Sequence, residues 1–318
     1  MTALRAGHPP PLPAAVREGV ASDLSRALGR AVTVLGGRPV SGGCINRALT
    51  LETTAGPFFL KWNRGAAGAA FPGEAVGLEA LRRGAEPAGL LRVPRVFGAR
   101  AAAPEGAGWL VLEHLPPSRP APGYQRALGE GLAALHGAGG GTRFGWEADN
   151  HLGALPQPNV WRDGWADFWR EARLGVQLRA ARAEGVLRPE DEAWGEALME
   201  SVDAALAPVA PEPPGLVHGD LWSGNVHPGP DGRPVLVDPA VYLGHGEVDL
   251  AMAELFGGFP AGAFAAYRAV RSTPPGYEEV RRPLYQLHYL LVHLRLFGDA
   301  YRTAVRSTAQ AVLSALRR

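Results

Sequence analysis

"LVHGDLWSGNVHPGPDGRPVLVDPA", residues 216–240, decides how the rest of the chain is read. Asp220 is followed by Asn225, and a second acid, Asp238, ends the short apolar run "VLVD". Between them stands "PGPDG", whose Pro, Asp and Gly are tight-turn residues, so the stretch reads as a hairpin. A hairpin brings its ends together. The Asn225 amide oxygen and the Asp238 carboxylate would then form a pair of hard oxygen donors, suited to Mg2+ and the phosphates it carries. Asp220 is placed to accept the proton of a hydroxyl nucleophile. An HxD-x4-N element followed by a strand-end Asp is the catalytic-loop order of phosphoryl transfer in the protein-kinase fold. His218 is expected to hold the loop's shape rather than to move protons, because Asp220 is better placed for that task.

Such a site needs a second half upstream, and the chain supplies its parts in order. "VSGGCINRA" sets Gly42 and Gly43 between β-type runs, where backbone N–H groups can approach phosphate oxygens. "FFLKWN" puts Lys61 on an apolar strand, and Glu74 opens the following helix as its natural ion-pair partner. "LVLEHL" ends the last strand of this half, so the backbone of Glu113, His114 and Leu115 is expected to face an adenine edge. Of 32 basic residues Lys61 is the only lysine. Codon bias explains the scarcity elsewhere. At Lys61 a compact ammonium that a planar guanidinium cannot replace is the simpler account. Cys44, the single cysteine, sits in the glycine turn. The plain expectation is an inert small hydrophobe. A thiol beside phosphate-binding amides can also be activated, so redox sensitivity through a disulfide between two chains is a second expectation.

The bulk composition excludes several classes. A net charge of +1 gives no polybasic surface for nucleic acid or membrane. No apolar run is long enough to span a bilayer, and "MTALRAGHPPPLP" lacks a signal-peptide core, so a cytoplasmic protein is expected. One cysteine allows no internal disulfide, and His136 and His245 have no second ligand at zinc spacing.

Residues 1–12 are Pro-rich and expected to be disordered or loosely docked. A helix over "AAVREGVASDLSRALG", short strands and the helix "GEAVGLEALRRG" follow, up to "PPSRPAPG" at 116–123, the clearest linker. The expected fold is α+β and two-lobed: a nucleotide-binding lobe over 1–115 with a small antiparallel sheet and a helix, a hinge over 116–123, and a larger, mainly helical catalytic and substrate lobe over 124–318. Trp161, Trp165 and Trp169 recur at four-residue spacing and are expected to form a core stripe on one helix.

"HGDLWSGN", "DPAVYLGHGEVDLAMAELFGGF", "FGWEADNHLG", "PQPNVWRDGWADFWREARL" and "FPGEAVGLEAL" together resemble the fructosamine/ketosamine-3-kinase family, a branch of the aminoglycoside phosphotransferase and choline kinase superfamily. The resemblance implies phosphorylation by ATP, with Mg2+, of the sugar 3-hydroxyl of ketosamines. The phosphorylated adduct is unstable and releases its amine, which amounts to deglycation. It also implies Asp220 as the base, Asn225 and Asp238 as metal ligands and Lys61 with Glu74 as the phosphate-binding pair. Asp249, in "GEVDLAM", would anchor the catalytic loop by hydrogen bonds; a helix N-terminal charge is the other reading. Trp222 would present its indole to the protonated amine beside the sugar. Small ketosamines or glycated protein lysines are the expected partners, with the chain a monomer or a redox-dependent homodimer. A kinase for another small hydroxyl compound, aminoglycoside- or choline-like, and a nucleotide-binding pseudokinase scaffold are the alternatives.

Overall fold

The computed structural model describes residues 12–40 and 46–318. The expectations on residues 1–11, on Gly42 and Gly43 and on Cys44 lie outside the described residues. The chain divides into two compact units, Met1–Ala75 with Pro94–Leu115, and Val76–Val93 with Pro116–Arg318.

The first unit opens with α1 (Ala14–Leu28), where Val16, Val20 and Leu24 recur every fourth residue and are at most 1% exposed. Gly29, at φ 65, ends the helix in the left-handed conformation that a Cβ would penalise. Strands β1 (Val34–Pro39), β2 (Arg47–Thr53) and β3 (Gly56–Arg64) follow, then the short α2 (Gly65–Ala69) and α3 (Phe71–Ala85). Strands β4 (Val96–Arg100) and β5 (Ala107–Glu113) complete an antiparallel sheet in the order β1-β2-β3-β5-β4. Alternation along β3 sends Phe58, Leu60 and Trp62 into a core shared with α1, Leu51, Trp109 and Val111. Each such burial contributes about 1.5–3 kcal/mol. The Trp109 indole N–H donates to Asp23 of α1 at 2.9 Å, and its ring lies where a Cβ on Gly19 would come within 2.3 Å. Glycine at that position lets helix and sheet close on the ring. The same alternation turns Lys61 to the opposite face of β3.

In the second unit α4 (Tyr124–Gly137) precedes a hairpin of β6 (Asn150–Leu152) and β7 (Leu155–Gln157). Helix α5 (Trp165–Phe168) runs on as a π-helical stretch, Trp169–Leu174, then come α6 (Gly175–Ala183) and α7 (Glu192–Leu206). The catalytic segment is built from β8 (Gly215–Val217), β9 (Val226–Pro228), β10 (Pro234–Leu236) and β11 (Tyr242–Gly244), with β9 pairing β10 and β8 pairing β11. Helices α8 (Glu247–Leu255), α9 (Ala261–Val270), α10 (Arg282–Phe297) and α11 (Arg302–Leu316) close the unit. Its core joins Trp165, Phe168 and Trp169 to Tyr242, Tyr285, Tyr289 and the apolar faces of α7, α8, α10 and α11.

Two expectations change. Residues 76–93, assigned by sequence to the N-terminal lobe, belong with the second unit: Gly84 sits where a Cβ would meet Leu135 at 2.8 Å and Leu216 at 3.0 Å. The tryptophan stripe is shorter than expected. Trp165 and Trp169 are 1% and 0% exposed, but Trp161 precedes the helix and is only partly buried. Gly164, extended at φ −103 and ψ 139, caps the helix three residues after Trp161. No helix among the described residues is long and apolar enough to cross a membrane.

Candidate active site

Strand β8 delivers His218, Gly219 and Asp220 into a tight loop. Gly219 stands at φ 81, and a Cβ there would lie 2.1 Å from the Ala240 carbonyl oxygen, so the turn admits glycine alone. The Ala240 N–H donates to His218 O at 2.9 Å, and the Tyr289 hydroxyl of α10 donates to Gly219 O at 2.8 Å. From below, Asp249 of α8, 0% exposed, accepts the backbone N–H groups of His218 at 2.7 Å and Gly219 at 2.8 Å. It also meets Nε2 of His136 at 2.9 Å, and Nδ1 of His136 meets the Tyr267 hydroxyl at 2.9 Å. Burial alone would raise the Asp249 carboxyl. Hydrogen bonds and positive character from His136, then His218, hold it below the usual carboxylate range. Asp249 is therefore not a solvated charge at a helix end; it closes the underside of the loop.

His218 has both ring nitrogens engaged by backbone. Nδ1 accepts the Asp220 N–H at 3.2 Å, and Nε2 donates to Val237 O at 2.9 Å. Burial pushes its pKa down, against the pull of Asp249, so the ring is neutral and fixed in one tautomer.

The hairpin does bring its ends together. Asn225, buried, donates through Nδ2 to Asp220 O at 2.8 Å, with Asp220 Oδ2 at 3.3 Å and Asp238 O at 3.5 Å. Its backbone carbonyl accepts the Val237 N–H at 3.1 Å. With the amide nitrogen committed to this loop, Oδ1 is the atom Asn225 can offer to a cation. Asp238 stands at φ 57, the only non-glycine residue at positive φ among the described residues. That conformation costs about 1–2 kcal/mol, least for Asp and Asn, and breaks the strand alternation at this residue. An amide and a carboxylate at the two ends of this hairpin are the donor types that a small hard cation takes.

In the first unit the Lys61 ammonium donates to Glu74 Oε1 at 2.7 Å, the two side chains being 5% and 13% exposed. An ammonium this deep requires its carboxylate. Glu113 closes β5, donating its N–H to Arg95 O at 2.8 Å and accepting the Arg95 N–H on Oε2 at 3.3 Å. His114 follows, with Nε2 3.3 Å from the Thr50 hydroxyl; burial, then the charge of Arg38, lowers its pKa. Leu115 is the last residue of the unit.

Trp222 is half-buried. Its ring covers Gly224, where a Cβ would come within 2.3 Å, and it packs against the main core. Sequence reasoning missed the residues that brace the loop from a distance. The β6–β7 hairpin does so through Asn150, whose amide donates to Val241 O at 2.8 Å, and Gln157, which donates to Ala240 O at 3.1 Å. His136, Tyr267 and Tyr289 were likewise unassigned. The one signal was "FGWEADNHLG", which holds Asn150 but does not say what its amide touches.

Comparison with known proteins supplies what geometry cannot. The model of the family described as "Fructosamine kinase" matches residues 16–315. The Synechocystis protein named "Probable ketoamine kinase slr1563" is 42% identical over 283 residues, covering 89% of this chain and 92% of that one. The chloroplastic protein-ribulosamine 3-kinase of Arabidopsis thaliana is 39% identical over 284 residues, covering 87% and 82%. A crystal structure of a fructosamine-3-kinase candidate from Thermobifida fusca is 36% identical, with a TM-score of 0.80, covering 94% and 99%. The fold is thus the two-lobed kinase-like α+β architecture. The chain is a kinase and belongs to the fructosamine kinase family.

Proposed function

We propose that this kinase transfers the γ-phosphoryl group of ATP to the sugar 3-hydroxyl of ketosamines, and that Asp220, Asn225, Asp238, Lys61 and Glu74 serve one nucleotide. The observation that carries the reading is the Asn225 amide, which ties Asp220 and Asp238 into a single constellation. In the transfer an O–P bond forms to the sugar oxygen as the bond to the ADP oxygen breaks. Asp220 orients the hydroxyl and accepts its proton, then returns it to solvent. Asn225 Oδ1 and the Asp238 carboxylate would hold Mg2+, which when bound supplies charge neutralisation at the phosphates. Lys61, oriented by Glu74, steadies phosphate oxygens, and the backbone of Glu113 to Leu115 meets the adenine. Because the loop is fixed from beneath, catalysis is mainly positioning and preorganised charge. Trp222 faces the protonated amine next to the sugar, an attraction of about 0.5–2 kcal/mol.

The test is ADP release by the purified chain with ATP, Mg2+ and a panel of ribulose- and fructose-lysine adducts, an aminoglycoside and choline. Turnover on the ketosamines is expected. Turnover restricted to another alcohol would keep the mechanism and overturn the substrate, and nucleotide binding without turnover would leave a scaffold.

A further inference from the structure

The hairpin of β9 and β10 is too small to keep its own register. Each strand has three residues, paired as Val226–Leu236, His227–Val235 and Pro228–Pro234, and the last pair has no N–H to give to the ladder. A lone two-stranded ribbon of this size is marginal in water. Yet Asn225 and Asp238 stand at its open end, where the Val237 N–H donates to the Asn225 backbone carbonyl at 3.1 Å. A slip of one residue would turn a strand's side chains to the other face. Whatever fixes the register lies outside the hairpin.

Both outer edges are occupied, each by a segment of the same unit. Beside β10, Arg92 forms a parallel bridge to Val235: its N–H donates to Pro234 O at 2.8 Å, and its carbonyl accepts the Leu236 N–H at 2.9 Å. The Arg92 guanidinium lies 3.3 Å from Asp231 Oδ2 in the turn, and Arg233 Nη1 donates to Gly89 O at 3.0 Å. Beside β9, the Ser118 N–H donates to Pro228 O at 2.8 Å and its hydroxyl donates to Gly229 O. The Ala121 N–H then donates to Gly232 O at 3.0 Å. Gly232 stands at φ 76, and a Cβ there would come within 2.6 Å of the Ala121 nitrogen. Residues 118–121 belong to the stretch expected as a hinge, and here they are bound to the hairpin. Between the two segments Val235 and Leu236 are 0% exposed.

We infer that Arg92 and Ser118 are positioning residues for the cation site: their main-chain bonds on opposite edges fix the register of β9 and β10, and through it the places of Asn225 and Asp238. The inference rests on the reading of those two as metal ligands, and it adds two residues outside the ligand set. An edge bond acts on both ligands at once, because each ligand continues one strand of the ribbon.

The test removes the edge bonds one at a time. Arg92→Pro and Ser118→Pro each delete an edge N–H, and Ser118→Ala deletes the hydroxyl alone. Mn2+ is titrated into the ADP-bound chain and followed by electron spin resonance, a readout independent of turnover. Each proline variant is expected to raise the Mn2+ dissociation constant about 10-fold, as loss of an outer support does at metal sites, and Ser118→Ala about twofold. Hydrogen exchange at the Leu236 and Val237 amides should quicken in both proline variants. ADP affinity without metal should stay within about twofold of wild type, since the bonds removed act on the ligand pair. Agreement between opposite edges separates a shift of register from a disturbance local to either segment. A lower thermal midpoint with unchanged Mn2+ affinity overturns the inference, and so does an effect from one edge alone. Where a proline variant fails to fold, the double variant Arg92→Ala/Ser118→Ala decides: about a threefold rise is expected, and none overturns the inference. Asp238→Asn, which tolerates the same backbone conformation, tests the reading beneath. If it leaves Mn2+ affinity at the wild-type value, Asp238 is not a ligand, and that reading fails whatever the edges do.

Discussion

Asp220 and Asp249 carry the same side chain on the two sides of one loop, and their surroundings are opposite. Asp249 is 0% exposed and gathers two backbone N–H groups and an imidazole within 2.9 Å. Asp220 is only partly buried; its carboxylate accepts from the Asn225 amide at 3.3 Å, while its backbone N–H donates to the His218 ring. The lower carboxylate is spent on holding backbone in place. The upper one keeps contact with solvent, which suits the proton-accepting role proposed for it. A kinase loop needs both kinds of group: one that can reach the substrate, and one that keeps its position from fluctuating.

The contrast breaks most visibly at Asp220. Asp220→Asn keeps the size of the side chain and removes the proposed proton acceptor, so kcat should fall about 10²–10⁴-fold. Thermal midpoint and ATP affinity should stay near wild type. A variant that retained wild-type kcat would mean that another group accepts the proton, and one that unfolded would place Asp220 in the same structural class as Asp249.

Asp249→Ala should do the reverse, failing in stability before chemistry. It strands the His218 and Gly219 N–H groups and leaves His136 without its buried acceptor, for a loss of about 3–5 kcal/mol. Urea unfolding measures this directly; a loss under about 1 kcal/mol would show that the underside is not what holds the loop. The depressed Asp249 pKa sets the sign of the pH dependence. Its contribution is fully present above the unfolded carboxylate pKa and disappears as pH falls through the lower, folded value.

A third buried group sharpens the comparison in a different pH window. His288 of α10 is 2% exposed, and burial, with the nearby charge of Arg173, pushes its pKa down to about 3. The unfolded ring takes up its proton near pH 6.5, so between 6.5 and about 3 the unfolded state holds more protons, and stability drains away as pH falls. Each unit within that window is worth about 1.4 kcal/mol. His288→Leu should therefore lose about 2 kcal/mol less than wild type between pH 7 and pH 5. Identical losses in both proteins would assign the acid sensitivity to other groups, His218 first among them.

How far these groups could be read from the sequence follows from how local their partners are. The hairpin that joins Asn225 to Asp238 was legible because its turn and both ends lie in one short run with strong turn chemistry. The Lys61–Glu74 contact was legible because strand and helix are consecutive and the lysine has no rival in the composition. The supports beneath the loop were hidden. His136 is donated by α4, Tyr267 by α9 and Tyr289 by α10, each in a helix whose pattern reads simply as amphipathic or core. Tyr289 sits in "LHYLLVHL", where nothing local separates a hydroxyl that holds a carbonyl from a ring that only fills space. The placement of residues 76–93 was obscure for a related reason. Gly84 and its neighbours pack against Leu135 and Leu216, far along the chain, and no local pattern announces that. Trp161 misled in the other direction: regular spacing suggested a helix that Gly164 does not let begin before Trp165.

The smallest effect belongs to Trp222, which shares features of both sides of the loop. Part of its indole is packing, laid over Gly224 and against the core, and part reaches solvent between Asp220 and Asn225 in sequence. Leucine at 222 would keep much of the apolar contact and remove the π face. If that face attracts the ketosamine ammonium, Trp222→Leu raises the acceptor KM by a few-fold up to about 30-fold, the span of a cation–π contact of about 0.5–2 kcal/mol. The KM for ATP and the thermal midpoint should barely move. The opposite pattern, a lower midpoint with an unchanged acceptor KM, would assign Trp222 to the supporting side with Asp249. Measuring both on one variant therefore decides which side of the loop this ring serves.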